Sequence, residues 1–184
     1  MRIENSFLPV HGVGEKTERR LWREGVTHWD DFEKSSVGDV QGQHITEYIE
    51  SARERLAAGD VGFFDDAFPS GSHWRLYENF RTETCFFDIE TTGLSARHSE
   101  VTTVSFHRAG ETTTLVKDRD LTRDALETEL HNAGLLVSFN GKRFDVPFLE
   151  QSFGLDIDLP HVDLMYPCRK LDLTGGLKAI ERET

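Results

Sequence analysis

At 184 residues, with 33 acidic against 21 basic side chains and a formal charge of −12, the chain suits one ordinary domain plus a small appendage and lacks an overall basic footprint. Its 15 arginines against 6 lysines make the acidic, lysine-poor surface that a high-salt cytoplasm favours, so a halophilic source is expected. Two cysteines without CxxC spacing fit a reducing interior and not structural zinc; with no leader and no apolar run near ~18 residues, the chain reads as soluble and cytoplasmic, without a membrane partner.

Residues 1–80 read as a small helical region. In "VHGVGEKTERRLWREGVTHWDDF", residues 10–32, Gly12 and Gly14 bracket a tight turn, Thr17 and Glu18 open a helix, and Leu21 and Trp22 supply its buried side. Gly25 ends that helix, and Trp29 and Phe32 carry the apolar spacing onto a second short one. The segment resembles a helix-hairpin-helix module, in which turn amides hold a backbone phosphate; Gly12, Gly14, Lys16 and Thr17 are the phosphate-binding candidates on that resemblance. Plain packing of the hairpin against its neighbour accounts for the same residues.

Farther on, Ile45, Tyr48, Ile49, Ala52 and Leu56 at helical spacing predict a helix over about 43–58, ended by Gly59. "DVGFFDDAFPSGSHW" reads as a turn-rich connector, and Trp74, Tyr77 and Phe80 as an apolar stripe that docks on the following domain.

Residues 82–184 alternate strands with helices. A strand around "CFFDIE" is followed by "EVTTVSFHR" and "ETTTLVKD", joined as a hairpin through Ala109-Gly110. Leu121, Ala125, Leu126 and Leu130 then line a helix closed by Gly134, "LLVSF" is a buried strand, and "HVDLMY" is another. The order predicts an α/β fold with a mixed five-stranded sheet flanked by helices.

Two stretches carry chemistry. In "CFFDIETTGLS", residues 85–95, alternation places Asp88 and Glu90 on one face and Phe87 and Ile89 on the other. Like charges so close resist ionising together unless a cation sits between them, which points to a divalent metal; a merely solvated polar face is the simpler alternative. In "SFNGKRFDVPFL", residues 138–149, Asn140-Gly141 makes a turn and a helix begins near Phe144, with Pro147 in its first turn. Asp145 thus stands at a strand-to-helix junction, where ligand sites of such sheets gather, although an acid there also suits the helix dipole.

Together, "FDIETTGL" and "NGKRFDVPFL" resemble the first two motifs of the DEDD 3′–5′ exonucleases, which have a ribonuclease H-like fold, and nearly the whole chain is similar to the YprB-type ribonuclease H-like proteins. The resemblance implies that Asp88 bridges two Mg²⁺ or Mn²⁺ ions, that Glu90 binds one of them, and that Asp145 is the acid of the second motif. It also implies that Thr91, Thr92, Gly93 and Leu94 border the terminal nucleotide of a nucleic acid, most simply a single-stranded 3′ end. Asn140 either holds its turn or touches the substrate, and Lys142 and Arg143 either meet phosphate or are solvated loop charges.

The DEDD pattern also requires a late helix bearing a Tyr or His ahead of a final Asp. The chain reaches Thr184 as "GGLKAIERET" without it, so truncation and a weakened metal site are expected; Asp163, Asp172 and Glu181 are the remaining acids nearby. A nucleic-acid-binding module without chemistry is the alternative function, and an acidic protein-binding domain a third.

Overall fold

The computed structural model describes residues 1–182. The chain divides into two compact units, Met1–Asn79 and Phe80–Thr184. Among the described residues, no helix is long and apolar enough to cross a membrane.

The first unit is helical. Helix α1 (Glu15–Arg23), preceded by Gly14 at its N-cap, starts two residues ahead of the expected opening, and Gly12 takes the left-handed conformation, φ +82°. Helix α2 (Asp39–Ala57) begins four residues earlier than its apolar periodicity suggests, because its first turn is mostly solvated and only Gly42 packs closely. A Cβ at Gly42 would stand 2.9 Å from the Lys34 carbonyl oxygen, so that contact excludes larger residues.

Two expectations for this unit fail. The second helix of the hairpin is only a single 3-10 turn, Trp29–Asp31, in which His28 and Asp31 bond the free amides and stop propagation. The supposed connector instead contains helix α3 (Val61–Ala67), started by the Asp60 carboxylate accepting the Phe63 N–H, and a 3-10 run over Ser70–Leu76. Glycine and paired aspartates masked the apolar face made by Val61 and Phe64.

Glu18 is the notable side chain of α1. It is 1 % exposed, and it accepts hydrogen bonds from Ser6 Oγ, the Phe7 N–H and both terminal nitrogens of Arg75, at 2.7 to 2.9 Å. Arg75 in turn lies over the rings of Trp22 and Trp74 at 5.6 and 5.4 Å.

The second unit holds the five-stranded sheet, in the order β3-β2-β1-β4-β5. Its strands are β1 (Thr84–Thr91), β2 (Val101–Arg108), β3 (Glu111–Val116), β4 (Leu135–Ser138) and β5 (His161–Asp163). The β1–β2 and β2–β3 pairs are antiparallel, and β1–β4 and β4–β5 are parallel, so the expected mixed sheet is present. Ala109 and Gly110, with φ +51° and +84°, turn β2 into β3 with the twist a two-residue hairpin needs.

Helices α4 (Arg123–His131) and α5 (Asp145–Phe153) contribute Leu126, Leu130, Phe148 and Leu149 to one core with Phe87, Ile89, Val104 and Phe106. Alternation in β1 is as expected: Phe87 and Ile89 are buried, and Asp88 and Glu90 are exposed on the opposite face. "HVDLMY" is not one strand. It stops at Asp163, and helix α6 (Met165–Lys170) takes over because the Asp163 carboxylate accepts the Met165 N–H. A last short helix, α7, covers Leu177–Ile180.

Candidate active site

The site starts where the sheet changes from antiparallel to parallel pairing. The β1–β4 ladder ends at Phe86 opposite Val137, while β1 runs on to Thr91 beside β2. Past that last pair, the Ile89 N–H is taken by Asp145 Oδ1 at 3.1 Å. The first residue of α5 is therefore held in the crevice at the carboxyl ends of two adjacent parallel strands, where such sheets place ligands.

Asp145 is buried at the start of its helix. Serving only the helix dipole would favour its charged form. Instead burial, then the Asp88 charge, push it up to about 6 against the lowering effect of the Ile89 N–H. Asp88 as a whole is exposed, yet loss of hydration around its carboxyl, followed by the Glu90 charge, raises its pKa above the usual value. Asp88 bears electrostatically on Asp145, and Glu90 on Asp88.

A raised carboxyl pKa makes stability fall with rising pH. Between an ordinary value of 3.8 and about 6 the folded chain keeps a proton that the unfolded chain releases, and above that range the full cost persists. Asp145→Asn keeps an oxygen for Ile89 and removes the charge. In chelator-treated protein at pH 7 it is expected to stabilise by up to about 3 kcal/mol, shrinking towards zero near pH 4. Urea unfolding followed by circular dichroism at both pH values measures this.

The donors suit a hard divalent cation in kind, being all oxygen and mutually repelling, with no ion pair to Asp88, Glu90 or Asp145 among the described residues. They do not form a closed cage: among the described residues no three His, Cys, Asp or Glu side chains stand grouped to hold an ion. Asp163, the further acid that bears on Asp145, is committed elsewhere. Its carboxylate accepts the N–H groups of Asn140 at 2.7 Å, Lys142 at 3.3 Å and Met165 at 3.0 Å.

The turn carrying Asn140, Lys142 and Arg143 leads directly into α5. Asn140 is left-handed, φ +65°, which its side-chain type tolerates, and its backbone N–H is occupied internally, consistent with holding the turn. Lys142 is half-buried and Arg143 exposed, and neither has an ion pair among the described residues. Between them and the strand, Gly141 gives its N–H to Ser138 Oγ at 3.1 Å, and Ser138 Oγ bonds His161 Nε2 at 2.7 Å. A Cβ at Gly141 would lie 2.2 Å from Ser138 Oγ. Gly141→Ala is thus expected to cost about 1–3 kcal/mol, read from urea midpoints.

Thr91–Leu94 closes β1 in a tight turn after a register shift at Glu90/Thr91. Thr91 Oγ1 donates to the Gly93 carbonyl and Thr92 Oγ1 accepts the Glu100 N–H, so both hydroxyls serve the loop itself. Gly93 is confined by Ser99 Oγ, 2.6 Å from a notional Cβ, and Leu94 is 89 % exposed. Gly12, Gly14, Lys16 and Thr17 belong to the other unit; there Gly14 precedes α1, its carbonyl accepting the Thr17 N–H, and Lys16 is exposed. Sequence reasoning missed Ser138 and His161 and set Asp163 aside. A carboxylate ending an apolar parallel strand was the available signal for Asp163.

A family model described as the RNase_H superfamily matches residues 85–184. Among solved structures, Brucella melitensis NrnC bound to pGG is similar at 21% identity and a TM-score of 0.46, over 58% of this chain and 54% of that one. A chain described as the apo form of a nuclease is 22% identical with a TM-score of 0.42, over 52% of this chain and 48% of that one. The Aedes aegypti Nibbler EXO domain is 12% identical with a TM-score of 0.40, over 54% and 52%. The chain spans about half the length of each of these. No curated protein matches it.

Proposed function

The chain belongs to the RNase H superfamily, and from that premise we propose that it is a divalent-cation-dependent nuclease of the DEDD 3′–5′ type, YprB-like and of haloarchaeal origin. The supporting observation is the approach of Asp145 to β1: an acid distant in sequence bonds the Ile89 amide, between Asp88 and Glu90, and carries a pKa raised by burial and then by the Asp88 charge. That arrangement concentrates un-neutralised oxygen donors in one crevice.

In this reading Asp88 and Glu90 hold the cations and Asp145 completes the set, directly or through water. Mg²⁺ or Mn²⁺, when bound, supplies Lewis-acid stabilisation of charge building on the phosphoryl and leaving oxygens. Lys142 and Arg143 attract the substrate backbone, and the exposed Leu94 sits against the terminal nucleotide. Gly12, Gly14, Lys16 and Thr17 of the first unit take a nucleic-acid backbone phosphate. Asp163 is committed to backbone amides, so β5 adds no further acid to the set.

A 5′-labelled single strand in high salt with Mn²⁺ tests the reading; stepwise shortening from the 3′ end, absent with chelator, is the expected result. The open carboxylate set favours one other reading, a nucleic-acid-binding module without chemistry. Retained binding with no shortening at any Mn²⁺ concentration decides for that.

A further inference from the structure

We infer that Asp163 is a positioning residue of this site: from the end of β5 it fixes where the Asp145 carboxyl stands against β1. The inference rests on the proposed role of Asp145, though its test does not require that role. Asp163 is 3 % exposed, and no cation pairs with it among the described residues. Its compensation is backbone: the N–H groups of Asn140, Lys142 and Met165 all converge on its two oxygens. Isolated, a buried carboxylate would be costly, so this geometry is strongly held.

The turn it grips is continuous with α5. The Asn140 carbonyl accepts the Phe144 N–H at 3.1 Å, and the Gly141 carbonyl accepts the Val146 N–H at 2.9 Å. Those two bonds bracket Asp145 in sequence and set the start of its helix. On the far side, Asp145 Oδ1 reaches the Ile89 N–H. A linked path therefore runs from β5 through the turn to the helix start and ends on β1. The Ser138–His161 pair holds the middle of the same turn through the Gly141 N–H. With all three of its N–H groups turned inward, the Asn140–Lys142 turn has none left to cradle a phosphate, which leaves anion contact to the Lys142 and Arg143 side chains.

Amide hydrogen exchange on the whole chain, without metal or substrate, tests this. In the unaltered protein the amides of Ile89, Asn140, Lys142 and Met165 are expected to open together, with one denaturant dependence. In Asp163→Asn, protection at Ile89 is expected to fall about tenfold along with that at Asn140 and Lys142, while Val104 and Phe106 amides in the antiparallel ladder change little. Where the enzyme is active, kcat for 3′-end shortening falls about tenfold to a hundredfold with KM nearly unchanged. Ile89 opening independently of Asn140 and Lys142 in the unaltered chain overturns the inference. So does Ile89 keeping its protection in the variant, or every amide losing protection equally. An unaltered chain with normal coupled exchange and no nuclease activity sinks the proposed function and leaves this inference standing.

Discussion

Asp88→Asn is expected to lower Mn²⁺-dependent 3′-end shortening by roughly 10²–10³-fold, the loss seen when one preorganised charge-stabilising group is removed from a site. Single-turnover rates on a labelled strand measure it. The isosteric amide retains β1 geometry, and it removes the charge that adds to burial in raising Asp145. The folded state should therefore be no less stable, which separates a chemical loss from unfolding. Asp156→Asn, an exposed acid in the loop after α5, should leave the rate unchanged. Equal activity of Asp88→Asn and the parent would remove the basis for any catalytic role of this strand.

Glu18→Ala is expected to destabilise the first unit by about 3–5 kcal/mol, since it strands Arg75 as an unpaired buried charge. Against a total stability of roughly 5–15 kcal/mol, such a loss can unfold the unit. The readout is unit-specific, because Trp22, Trp29 and Trp74 are the chain's 3 tryptophans and all precede residue 80. Urea unfolding by tryptophan fluorescence should shift sharply in Glu18→Ala, and replacing both partners by Leu and Met should recover much of the shift. A midpoint within error of the parent would mean that the pair is not buried in solution.

Glu18 also shows why parts of the fold were illegible. From its neighbours alone, a glutamate in the first turn of "EKTERRLWR" is a solvated, dipole-favourable residue. Its burial depends on Arg75, Ser6 and the Phe7 amide, none of them within reach of a local periodicity. The α3 segment failed for a related reason: seven residues with two aspartates and a glycine carry too little periodicity to stand out from a loop. The hairpin's second helix was over-read because Trp29 and Phe32 keep helical spacing for barely one turn.

The sheet, by contrast, was readable as a mixed one of five strands. Alternation in β1, the Ala109-Gly110 turn and the apolar β4 are local patterns, and connection rules then leave few arrangements.

Along the chain alone, the period-two geometry of a strand was enough to put Asp88 and Glu90 on one face, and Asn140-Gly141 was enough to place a turn before Asp145. Tertiary packing decided the rest: that Asp145 meets the Ile89 amide, that its pKa climbs to about 6, and that Asp163 is bound to the turn instead of facing the crevice. Side-chain direction follows from backbone stereochemistry over two or three residues. Burial and field are sums over groups that only folding brings near, and no local pattern contains them.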